Sequence, residues 1–182
     1  DTFSSIVGPA TGVARPDPAI AHDPDVAAAR DSVLRVRGFA CGLGIEGSGW
    51  IVRPGFVVTN AHVVAGIHAP VLDRGDGEET KATVVAFDAG NDVAILKAPG
   101  LEGRALPLAD PERGEPAAIL GYPLDGPYVV TAGRLGTTAR VAARDAYGRV
   151  DVGRSVVGFR GEVQRGNAGG GAVDRDGNVV TT

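Results

Sequence analysis

The chain of 182 residues holds one cysteine, one tryptophan and, among its 18 basic residues, only two lysines, Lys81 and Lys97. It has no apolar run of the ~18 residues that a membrane helix requires, and no signal-peptide pattern. The net charge of −4 carries no block of like charge, so nothing invites nucleic acid or an anionic membrane surface. The bias of arginine over lysine, with abundant Ala and Gly, points to a GC-rich genome. A single cysteine rules out a disulfide within the chain. Cys41 then has three readings: a buried small hydrophobe, half of a disulfide whose partner lies outside these residues, or a reactive thiol. The last is the weakest, because no His-Cys motif surrounds it.

What is present is enough for a packed core. Hydrophobic residues make up 43% of the chain, which suits one domain of ordinary size or two small subdomains sharing an interface. The chain opens without Met and closes on Val179-Val180-Thr181-Thr182, a pattern belonging to the middle of a strand. The expectation is a fragment of a longer protein, with any membrane anchor upstream.

Residues 1–32 read as an arm. Pro9, Pro16, Pro18 and Pro24 favour extended chain, ending in a short helix begun by Asp23-Pro24 and running to Arg30. From Val33 short β-rich runs take over, at 33–37, 49–52, 56–59, 83–87 and 93–97. A connector begins at Pro99-Gly100. A second series follows at 117–121, 128–135, 138–143, 156–159, 171–173 and 178–182. Strands at this spacing, with almost no helical periodicity, predict an all-β sandwich or pair of barrels. Periodicity alone does not choose between them.

Three segments carry candidate chemistry. His62, in Thr59-Asn60-Ala61-His62-Val63-Val64, sits where an apolar strand gives way to a helical turn. An imidazole there can be half-buried yet face a cleft, as a general base requires, although a structural histidine capping a strand fits as well. Asp92 opens the apolar strand Val93-Ala94-Ile95-Leu96. A carboxylate facing inward there needs a donor, which a histidine ring N–H would supply. The plainer reading is a turn aspartate after Gly90-Asn91, and Asp88 looks like a turn residue. The third segment, Arg165-Gly166-Asn167-Ala168-Gly169-Gly170, is a glycine-rich turn that can present two backbone N–H groups to an anion.

Singly these signals are weak. In the order His62, Asp92, glycine-rich turn, they resemble the chymotrypsin-like (trypsin-fold) serine proteases, as does Gly47-Ser48-Gly49-Trp50-Ile51-Val52 ahead of the histidine. The likeness covers residues 33–182, and the short loops are similar to those of bacterial HtrA-like exported proteases. It implies two antiparallel six-stranded β-barrels with a triad at their interface. Residues 33–105 would form the first, with His62 and Asp92, and 106–182 an incomplete second. It further implies an oxyanion hole from the N–H groups of Gly166 and residue 168. One wall of the S1 pocket would come from Glu162, Val163, Gln164 and Arg165. No metal or organic cofactor is implied, and the partner is a polypeptide substrate. The arm and composition look most like an actinobacterial branch that is periplasmic, membrane-anchored and linked to acid resistance. That places the domain outside the cytoplasm, where an odd cysteine suggests a partner elsewhere, for Cys41 one beyond residue 182.

The match breaks at two positions. Gly171 stands where a proline is common, which adjusts the turn only. Ala168 stands where the family has its serine, and alanine has no Oγ with which to form an acyl intermediate. Because His62, Asp92 and the turn all remain, the expectation is a serine-to-alanine substitution made to disable the enzyme. The alternatives are a natural pseudoprotease that binds peptides, and a regulatory β-domain working through its arm. Ser48 is expected to be structural. Glu162 could select a basic P1 residue or be a solvated turn carboxylate.

Overall fold

The computed structural model describes residues 12–182; the first part of the arm, with Pro9, lies outside them. Two antiparallel sheets form the body of the described residues. The first contains β1 (Val33–Ala40), β2 (Leu43–Arg53), β3 (Phe56–Thr59), β4 (Val71–Asp73), β5 (Thr80–Lys81), β6 (Thr83–Asp88) and β7 (Val93–Lys97). Their order across the sheet is β5-β4-β1-β2-β3-β7-β6. Only Ala82, whose N–H donates to Pro70 O, separates β5 from β6. The two edges are therefore one continuous piece of chain, and the sheet curls into a near-barrel with no long open edge.

Local chemistry explains the sharpest corner. β1 and β2 pair from Val33↔Trp50 to Ala40↔Leu43, which leaves a two-residue turn. Cys41 and Gly42 there have φ of 52° and 79°, the doubly left-handed geometry that matches the twist of a hairpin. Inside the sheet Leu34, Val36, Ile51, Val57, Leu72 and Leu96 are fully buried. Burying each such side chain stabilises the fold by about 1.5–3 kcal/mol.

The second sheet has the order β10-β9-β8-β11-β12, built from β8 (Pro116–Gly121), β9 (Val129–Arg144), β10 (Asp151–Gly161), β11 (Ala172–Val173) and β12 (Val179–Thr181). The chain between the sheets is stitched to both: Leu106 N–H donates to Ile51 O, and Val179 N–H donates to Pro107 O. A shared core of Trp50, Val58, Leu120, Tyr122, Val173 and Val179 fills the space between them.

Several expectations are adjusted. The runs at 128–135 and 138–143 form one sixteen-residue strand, β9. Its partner β10 shifts register between Val157 and Phe159, so the break falls within the ladder instead of between strands. β4 and β5 lie where no strand was expected. The first sheet holds seven strands in place of six, and the second, expected to be incomplete, holds five. From Pro18 onward the arm is folded against the body. A 3-10 turn (Pro18–His22), α1 (Pro24–Ala28) and a second 3-10 turn (Ala29–Ser32) send Ile20, Val26 and Ala29 into the shared core. Asp23 occupies the N-cap position of α1 without capping it, its carboxylate being paired with Arg175 at 2.7 Å.

Candidate active site

β3 ends at Thr59 and the chain turns into the single-turn helix α2 (Ala61–Val64). Ala61, Val63 and Val64 are buried, and their packing on the first core holds His62 at the surface of the fold with its side chain 23% exposed. Asp92 reaches the same place from the turn between β6 and β7. Asp88 accepts from the Asn91 N–H at 2.9 Å and from Asn91 Nδ2 at 2.7 Å, and those bonds hold its carboxyl below the usual range. That makes Asp88 the turn residue and leaves Asp92 free to face inward, at φ 59°.

The two candidate side chains meet. His62 Nδ1 lies 2.8 Å from Asp92 Oδ2, and the His62 backbone N–H donates to Oδ1 at 2.9 Å. Both carboxylate oxygens are thus engaged by one residue, which fixes the ring's orientation as well as its neighbour. Asn60 Nδ2 donates to Asp92 O at 2.8 Å, so the turn is also held through its backbone.

The glycine-rich turn is fastened to Asn60 at the end of β3 and to Ser48 of β2. Gly169 N–H donates to Asn60 Oδ1 at 2.7 Å, and Ser48 N–H donates to Ala168 O at 2.8 Å. Ser48 Oγ donates to Gly166 O at 2.7 Å and accepts from Tyr122 N–H at 2.9 Å. Leu124 N–H donates to Arg165 O at 2.8 Å. Gly166 and Gly169 are obligatory. Both are left-handed, with φ of 89° and 83°, and a Cβ would lie 2.5 Å from Tyr122 O at the first and 2.2 Å from Thr59 Oγ1 at the second. Among the described residues, neither the Gly166 nor the Ala168 N–H donates to an acceptor, and the buried Asn167 Nδ2 has no partner.

Beside the turn lies a pocket of roughly 170 Å3 whose walls include Ile119, Phe159, Val163, Ala172 and Thr181, with Ala168 at its rim. Of the four residues expected to form one wall, Val163 lines it. Glu162, Gln164 and Arg165 are exposed and are not among its lining residues. Cys41 is exposed at its hairpin turn, which removes the buried-hydrophobe reading. Asn60, Ser48's bridging role and Arg154, whose guanidinium stands 3.6 Å from Asp92 Oδ2, were not anticipated from the sequence. The Thr-Asn-Ala-His run offered a signal for Asn60; nothing local marks the other two. Among the described residues no group of His, Cys, Asp and Glu is placed to hold a metal ion.

Residues 47–181 match the trypsin-like peptidase domain. The chain belongs to the trypsin-like peptidase family. It is 39% identical over 177 residues to the serine protease Rv3671c of Mycobacterium tuberculosis, a stretch that covers 94% of this chain and 44% of that protein. It is 34% identical over 141 residues to a probable periplasmic DegP-like endoprotease of Halomonas elongata, covering 74% of this chain and 28% of the relative. The chain therefore spans less than half the length of the curated relatives it matches. Among solved structures, the active form of Rv3671c superposes with a TM-score of 0.89 at 38% identity, covering 98% of this chain and 80% of that one. A serine-to-alanine mutant of the same protease, in an inactive form, superposes at 0.82 with 38% identity, covering 93% and 85%. The double near-barrel is thus the architecture of this peptidase family.

Proposed function

We propose that this chain is the catalytic domain of an exported serine endopeptidase in which Ala168 replaces the nucleophilic serine. The observation that carries the reading is the seating of the glycine-rich turn. It is hydrogen-bonded through Asn60 to the end of β3, which leads into His62, and through Ser48 to the neighbouring strand β2, beside the His62–Asp92 pair. With serine at 168, His62 takes its proton as Oγ attacks the scissile carbonyl. Asp92 holds the ring tautomer and stabilises the imidazolium, and the N–H groups of Gly166 and residue 168 bind the oxyanion. His62 then returns the proton to the leaving amine. With alanine there, peptides still bind but the covalent step has no nucleophile.

The apolar side chains that line the pocket, Ile119, Phe159, Val163 and Ala172, favour an apolar P1 side chain over a basic one. Retention of the whole apparatus around Ala168 supports a substitution made to disable the enzyme. By the resemblance, the parent protein is tethered to the membrane outside the cytoplasm and serves acid resistance; an exported protein with an exposed odd cysteine would pair Cys41 with a partner beyond Thr182.

Labelling by a fluorophosphonate tests the reading, using A168S in a chain extended past Thr182 and A168S/H62A as control. Covalent labelling that depends on His62 is the expected result. A folded A168S protein that takes no label would replace this reading with a natural pseudoprotease that binds peptides without cleaving them.

A further inference from the structure

We propose that Arg35 is a positioning residue for the anion-binding turn, holding in place the segment that orients the Gly166 N–H. One peptide bond carries the effect. The Arg165 C=O and the Gly166 N–H belong to the same peptide, and in a planar trans peptide they point in opposite directions. Leu124 N–H donates to Arg165 O at 2.8 Å. With the carbonyl drawn toward Leu124, the Gly166 N–H faces the other way, as the oxyanion reading requires.

The Leu124 donor sits in a turn that its own sequence does not favour. The chain leaves β8 at Gly121, and Leu124 and Asp125 both follow in the left-handed region, with φ of 56° and 52°. Leucine rarely adopts that conformation, and the Leu124 side chain is 66% exposed, so burial of that side chain does not hold it there. The turn is held from the first sheet instead, at both ends. Arg35 of β1 and Ser48 of β2 stand opposite each other in the ladder, so their side chains share a face. Ser48 Oγ accepts from Tyr122 N–H at the entry to the turn. At the exit Arg35 Nη1 donates to Asp125 O at 3.1 Å and to Asp125 Oδ1 at 2.8 Å, with the guanidinium 5.2 Å from the centre of the Tyr122 ring. Asp73 of β4, the other ladder neighbour of Arg35, is buried and lies 3.5 Å from its Nε, which aims the side chain toward the turn.

Gly166 is packed on the same segment. A Cβ there would lie 2.5 Å from Tyr122 O, 2.8 Å from Leu124 N and 3.1 Å from Pro123 Cα, so the turn and the seat of Gly166 move together. Without Arg35 the exit of the turn loses its two bonds to β1. Leu124 then relaxes out of the left-handed region, and its N–H leaves Arg165 O. The 165–166 peptide loses a bond that orients it, and the Gly166 N–H is no longer aimed at the oxyanion. The fold itself keeps its supports, because Asp73 retains Arg37, whose Nη2 is 2.8 Å from Oδ2.

The proposal rests on the serine protease reading for its catalytic meaning, and the test separates the two. In A168S, in the chain extended past Thr182, R35M is expected to lower kcat at least about tenfold, with KM changed less than about threefold; complete loss of one oxyanion donor costs about 100- to 1,000-fold. A single nitrogen of Arg35 makes both bonds to Asp125, so the ammonium of R35K can stand in for it and is expected to keep kcat within about threefold of the parent. A kcat within about threefold in R35M, a loss carried by KM alone, or an equal loss of kcat in R35K overturns the proposal. In the chain with Ala168, exchange of the Leu124 amide, corrected for intrinsic rate, is expected to speed up about tenfold in R35M and to stay within about threefold in R35K. Should R35M not fold, R35Q carries the same expectations. If A168S is inactive while Leu124 exchange responds, the protease reading falls and the hold of Arg35 on the turn stands. If A168S is active and neither kcat nor exchange responds to R35M, the reverse holds.

Discussion

Removing one oxygen from Ser48 has a cost that can be worked from its surroundings. The residue is fully buried, and its hydroxyl makes two bonds at once: it donates to Gly166 O at 2.7 Å and accepts from Tyr122 N–H at 2.9 Å. Ser48→Ala leaves a backbone carbonyl and a backbone N–H inside the fold, each without this partner, and gives no apolar contact in return. An orphaned buried group costs about 1–3 kcal/mol, so the pair amounts to about 2–4 kcal/mol once local relaxation is allowed. Against a total stability of about 5–15 kcal/mol that is a large fraction. For a domain of this size it corresponds to a fall in Tm of roughly 5–15 °C. Urea unfolding followed through Trp50, the one tryptophan and 3% exposed, measures it directly. The midpoint should fall with the slope unchanged. A loss below about 0.5 kcal/mol would refute the argument, because it would mean that water or a shifted backbone satisfies both groups.

Two further predictions rest on the same physics. Gly169→Ala sets a Cβ 2.2 Å from Thr59 Oγ1 and 2.3 Å from Ser48 O at a left-handed φ, and should cost at least about 3 kcal/mol in urea unfolding. Gly171→Ala, whose Cβ meets nothing nearer than 3.3 Å, should cost less than about 1 kcal/mol; equal losses at both positions would contradict the geometry. At the tip of the β9–β10 hairpin, the N–H groups of Arg149 and Tyr147 hold the Asp145 carboxyl below its ordinary 3.8. A depressed folded value means the contribution is present above 3.8 and lost as pH falls through the lower folded value. Amide exchange at Tyr147 and Arg149, corrected for intrinsic rate, should therefore accelerate below about pH 4; protection that is flat across that range would sink the account.

How much of this was legible beforehand depended on whether the information was local. His62, Asp92 and the glycine-rich turn each carried a weak local mark (a strand end, an inward carboxylate after a turn, a run of glycines), and their order along the chain made the site legible although the two side chains that pair are 30 residues apart. Cys41 was misjudged in its leading reading because burial is a property of the hairpin's position, and a two-residue turn puts its residues into solvent. β4 and β5 are two or three residues long, lie among Pro70, Gly75 and Gly77, and exist only because β1 and the chain after them supply partners. The arm misled for a related reason. Its prolines favour extended chain, yet burial of Ile20, Val26 and Ala29 in the shared core outweighs that preference. Arg154 carried no local mark, since its partner is set by how far a hairpin of the second sheet overhangs the first.

The ties that seat the glycine-rich turn also set an order in time. Ser48 and Gly166 are 118 residues apart in the chain, and Asn60 and Gly169 are 109. During synthesis the strands flanking His62 and Asp92, β3, β6 and β7, are complete long before the ribosome reaches Gly166. A nascent first sheet holds a paired histidine and aspartate but no anion-binding turn, and the loops that must close to supply it are among the longest in the domain. Contacts of such span form late in folding. The bonds that seat this turn are therefore absent until nearly the whole domain has been made and docked, and a chain truncated before residue 166 lacks them however well its first sheet folds.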